Sequence, residues 1–134
     1  MRVWKNLLGV LGVFEIDTDD CIEIKKTAYF DAEVDNGSSG AADTISWKVG
    51  NKQKSTLTDD CTYTFTAPSG PCNLLLKIIQ DSTPRTVTWP ATVKWSNGVA
   101  PTISTGSGDI DLISFYWDGT NYFGMANYNF EVPA

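Results

Sequence analysis

Cys61, Tyr63 and Phe65 alternate with Thr62, Thr64 and Thr66, giving one apolar face and one threonine face. A period of two is the signature of a strand with its apolar side on a core and its polar side in water. Val87 and Trp89 repeat the pattern against Thr86 and Thr88, and Val93 and Trp95 repeat it again. Shorter strands are predicted at 44–47 and 53–57, and a strand or strand pair at 22–32. Turn signals separate the runs: Asp35-Asn36-Gly37-Ser38-Ser39-Gly40, Gly50-Asn51, Asn97-Gly98, Gly106-Ser107-Gly108 and Asp118-Gly119. Gly and Asn tolerate positive φ, and Asp-Gly is a strong hairpin signal. No helix of useful length is predicted. The pattern as a whole predicts an all-β chain, a single antiparallel β-sandwich of jelly-roll type with an extended amino-terminal arm.

Two segments depart from simple alternation. In 72–79, Leu74, Leu76 and Ile78 fill one face while Leu75 and Ile79 fill most of the other. In 110–117, Ile110, Leu112 and Tyr116 oppose Ile113, Phe115 and Trp117. A strand apolar on both faces needs two covers, and the facing sheet supplies one. The second is either the chain's own loops and amino-terminal segment or another subunit. Because large apolar patches mark interaction sites, Leu75, Ile79, Ile113 and Phe115 are assigned to a homo-oligomer interface.

Residues 1–14 form an apolar arm in which Val3, Trp4, Leu7, Leu8, Val10, Leu11, Val13 and Phe14 are the docking candidates. Its surface is the chain's own core, a neighbouring subunit or assembly, or a membrane-associated context. Arg2 and Lys5 before the apolar run resemble the start of a signal peptide, but an acidic stretch from Glu15 to Asp20 follows, with no small-residue cleavage site. The run is also short of the about 20 apolar residues that cross a bilayer, so no membrane insertion is expected. The domain reading is an arm over 1–21 and a sandwich over 22–134.

Charge and chemistry narrow the function. The 134 residues carry ten basic and sixteen acidic side chains, a net charge of -6, and no histidine. Phosphate backbones repel such a chain, which argues against a nucleic-acid partner. Without histidine the usual neutral-pH base and commonest metal ligand are gone. Ser69 and Ser107 sit beside glycines but have no base to activate them. Asp109 and Asp111 share a strand face, and Asp17, Asp19 and Asp20 cluster, yet neither set has the spacing of a calcium loop. Both sets read as solvent-facing or turn-capping. No catalytic residue, metal ligand or cofactor is assigned.

Cys21, Cys61 and Cys72 form an odd set without a C-x-x-C pair, which suits a reducing cytoplasm. Cys61 and Cys72 flank a predicted hairpin that sets Cys72 opposite Phe65 and Cys61 opposite Leu76, so they are not expected to bond. Trp89, Trp95 and Trp117 lie in step with strand residues and read as core in preference to sugar-stacking platforms. Trp47 and Tyr122, nearer turns, are the better candidates for glycan contact.

From Val34 on, the order of pieces resembles a known module. An Asp-Asn-Gly turn leads to Thr44-Ile45-Ser46-Trp47, a Gly50-Asn51 turn and a Thr62–Phe65 strand. Then come Gln80-Asp81, TVTWPATVKWSNGVAPTIST, Asp109-Ile110-Asp111, a Tyr-Trp-Asp-Gly turn and Asn127-Tyr128-Asn129-Phe130. This succession resembles the C-terminal β-sandwich module of tailed-bacteriophage fibre and appendage proteins. The resemblance implies a non-enzymatic virion part, often trimeric, assembled in the bacterial cytoplasm. Residues 1–33 depart from the long fibre shaft that would precede such a module. That departure favours a capsid decoration, head-fibre or short appendage subunit docked on other virion proteins. The alternative is a tail-fibre tip domain that binds a host surface glycan.

Overall fold

The structure, a computed structural model, describes residues 14–16, 22–24 and 27–133. It divides into two compact units, Met1–Asp31 and Ala32–Ala134. In the first, β1 (Phe14–Ile16) pairs antiparallel with β2 (Ile22–Ile24), Phe14 opposite Ile24. The strand expected to open the sandwich at Ile22 therefore has its partner upstream, and the larger unit starts at Ala32.

The larger unit is built from β3 (Val34–Ser38), β4 (Ala42–Ser46), β5 (Lys52–Leu57), β6 (Cys61–Thr66), β7 (Cys72–Gln80), β8 (Val87–Thr88), β9 (Val93–Trp95), β10 (Ile110–Trp117) and β11 (Tyr122–Asn127). One sheet has the order β3-β5-β7-β10-β11-β9, the other β4-β6-β8. From β3 to β8, successive strands alternate between the sheets, and every pair among these six strands is parallel. Parallel neighbours need a crossover, and here each crossover is itself a strand of the opposite sheet. After β8 the winding ends. β10 pairs antiparallel with β7 and with β11, and β9 closes the edge parallel to β11.

This topology corrects the expected antiparallel pairing. The predicted hairpin across residues 67–71 is absent, because β6 and β7 lie in different sheets. The β10–β11 hairpin does form at its Asp-Gly turn. Asp118 accepts hydrogen bonds from the Thr120 and Asn121 amides at 2.7 and 2.6 Å, and Gly119 takes φ +100°.

Both sheets contribute to a single core. Its centre is Phe115, 2% exposed, whose ring packs on Trp47 and Phe65 from one side and on Trp95 and Tyr122 from its own sheet. Trp89 follows β8 and packs on the same ring. Cross-strand pairs Leu74–Phe115 and Leu76–Ile113 build the inner face of the large sheet. Polar residues on that face are bonded inward. Gln53 donates to the Ser46 and Gly50 carbonyls and accepts from Asn36, so it ties the first turn of the coil to the second. Tyr63 donates to Ser55 at 2.9 Å, which keeps a fully buried hydroxyl pair satisfied.

Candidate interaction surface

Several residues singled out in the sequence lie elsewhere than expected. Ile113 and Phe115 point into the core, at 0% and 2% exposure, and so are not an interface. The outward residues of β10 are Ile110, Leu112, Ser114 and Tyr116. Leu75 and Ile79 do face outward and are half-buried, opposite Ser114 and Ile110. Trp47 and Tyr122, the proposed glycan contacts, are each 3% exposed and belong to the core. Their Nε1 and Oη atoms find no hydrogen-bond partner among the described residues. Val3, Trp4, Leu7, Leu8, Val10, Leu11 and Val13 lie outside the described residues, and Phe14 opens β1.

The two aspartates of the 109–111 segment have different fates. Asp109 caps a turn, accepting from the Gly106 amide at 2.7 Å. Asp111 is 2% exposed, not solvent-facing. It accepts from the Ser104 amide and hydroxyl at 2.6 and 2.7 Å and from the Asn129 amide at 2.8 Å. It is a clamp that fastens the 101–105 segment and the carboxy-terminal segment to β10.

Cys61 is buried and Cys72 half-buried, and both are free thiols. Burial raises both above the ordinary thiol range, so neither is an activated nucleophile. Burial likewise pushes the Tyr63 phenol far up. The described residues hold no group of three or more His, Cys, Asp or Glu placed to share a metal ion.

What the geometry does bring together is an exposed apolar surface along β10, β11 and β9. Tyr116 and Phe123 stack at 6.3 Å on its outer side, 46% and 41% exposed, with the Lys94 ammonium 5.8 Å from the Phe123 ring. Met125, 63% exposed, follows on the same side of β11. It also lines a cleft of about 430 Å³ with Trp95, Val99, Pro101 and Tyr128. A second cleft of about 510 Å³ shares the 100–102 segment and Trp95 with the first and is lined also by Trp89 and Val93. Among the described residues, no carboxylate lines either cleft.

The Trp95 wall depends on Gly124. The two are register partners across β9 and β11, and the indole lies directly on the glycine. A Cβ at Gly124 falls 2.2 Å from Trp95 Cζ3, far inside van der Waals contact. Gly124→Ala is expected to cost about 1–3 kcal/mol by overpacking and to alter Trp95 fluorescence. Urea denaturation with emission spectra checks this; unchanged stability would mean the indole does not rest on this glycine.

The surface was missed in the sequence because β10 and β11 are apolar on both sides. Its available signal was the pair of exposed aromatics either side of the Asp118-Gly119 turn, which a hairpin sets opposite each other. Comparison with protein-family models, curated proteins and solved structures finds no match.

Proposed function

We propose that the chain is a non-enzymatic structural subunit of a tailed-bacteriophage virion, a capsid decoration, head-fibre or short appendage protein. The observation that carries this reading is the exposed apolar surface of β9, β10 and β11, a feature of proteins that assemble. The order of sequence pieces from Val34 to Phe130 supplies the particle context. Homo-oligomerisation, as a trimer, and contact with other virion proteins through the amino-terminal segment belong to the same reading. Free thiols at Cys61 and Cys72 accord with assembly in the bacterial cytoplasm. The core shared by both sheets supports the sandwich reading, with strands wound in parallel between the sheets in place of jelly-roll Greek keys.

Mass spectrometry of purified particles tests the proposal. The chain is expected at many copies per particle; its presence only as free protein in the lysate would sink the idea. The cleft beside Trp95 and Tyr128 favours a second reading, a glycan-binding domain at a fibre tip, with the ligand at Trp95 and not at Trp47 or Tyr122. Glycan-array binding that disappears in Trp95→Ala would support it.

A further inference from the structure

We propose that copies of this chain associate through the β9–β10–β11 surface, the Tyr116–Phe123 ridge of one copy filling the Trp95–Met125–Tyr128 cleft of the next. This rests on the assembly reading above and names the surface and its occupant. Three observations point to a second copy. The first is size. Val99, Tyr116, Phe123, Met125 and Tyr128 are 41–71% exposed. With about 150–250 Å² for each of the three aromatics, and Val99 and Met125 added, they present on the order of 500 Å² of largely apolar area. That lies in the upper half of the range for a monomer's largest patch, about 300–600 Å², patches that are often functional. It is more than half of the about 800 Å² that each partner buries in a standard interface. Ser96, Thr102 and Asn127, all exposed or half-exposed polar residues nearby, fit the polar rim of such an interface.

The second observation is charge. The chain carries a net charge of -6, so two copies repel over most of their surface. This surface holds Lys94, whose charge also reaches Asp118, and among the described residues no acidic side chain lines its cleft, so two acidic chains can meet here without carboxylates opposed in the cleft. The third is shape. An exposed stacked pair and a cleft lie on the same surface, linked by Met125, which follows Phe123 on the outer side of β11 and lines the cleft. When ridge enters cleft around a three-fold axis, every ridge and every cleft is used and the ring closes. Met125 suits the junction because its unbranched thioether adapts to irregular surfaces.

Light scattering on the full chain decides the matter, using the wild type, Met125→Glu, Phe123→Glu and Thr64→Glu. Thr64 is exposed on the opposite sheet and serves as the control. The wild type and Thr64→Glu are expected as trimers of the 14.7 kDa chain at micromolar concentration. Met125→Glu and Phe123→Glu are expected to weaken association about 30-fold or more. Near-UV circular dichroism checks that each variant keeps its packed aromatic core. A monomeric wild type overturns the proposal, as does a trimer that persists in both folded glutamate variants. Particle incorporation is scored separately: a stable trimer absent from particles would sink the virion reading alone, and a monomer found in particles would sink this one alone.

Discussion

Phe115→Ala is expected to destabilise the larger unit by about 3–5 kcal/mol, the range for removing a fully buried aromatic. The position explains the size. Phe115 is 2% exposed and meets rings from both sheets, with centroid distances of 5.2 Å to Phe65 and 5.9 Å to Trp47 and Trp95. Edge-to-face pairs of this kind add about 0.5–1.5 kcal/mol beyond area burial. Alanine leaves a void where the two sheets meet, and the surrounding rings, which come from different segments of both sheets, cannot all move into it. Urea unfolding followed by tryptophan fluorescence reads the loss, since three tryptophans border the site. A cost under about 1 kcal/mol would show that the sheets are held together elsewhere.

Asp111→Ala is expected to cost about 3–5 kcal/mol. Its carboxylate accepts three hydrogen bonds, two of them from the backbone amides of Ser104 and Asn129. Hydrogen bonds to a charged group contribute about 1.5–3 kcal/mol each, and these three lie in a part-buried setting. Asp111→Asn keeps the shape but sets an amide NH₂ where donors already point, so it is expected to recover only part of the loss. Hydrogen exchange provides the specific readout. Protection at the Ser104 and Asn129 amides disappears first, ahead of the β7 and β10 ladder. If both variants retain wild-type stability, the clamp does not hold those segments.

These two residues also show what the sequence conceals. Asp111 shares a face with Ile113 and Phe115, and a carboxylate ordinarily marks the wet side of a strand. Its hydrogen bonds come from residues 104 and 129, which no local pattern places beside it. The face was therefore inverted, and the outward set became Ile110, Leu112 and Tyr116. Alternation of Tyr63 and Phe65 with the threonines was legible because only one side of β6 is apolar. The same pattern says which side is in and nothing about which strand is the neighbour. Residues 58–60 read alike whether the chain folds back within a sheet or crosses to the other. The parallel winding of β3 to β8 was hidden for that reason. Trp47 and Tyr122 lie near turns and read as exposed, yet their rings pack on Phe65 and are drawn into the core. Trp89 and Trp95, in step with valines, were placed correctly against the core.

Imaging of intact particles labelled with an antibody raised against this chain decides whether it is a virion component. The account predicts label at regular, repeated positions on the virion, with the same positions empty when the gene is deleted. Unlabelled particles, with all reactivity in the soluble fraction of the lysate, would contradict it.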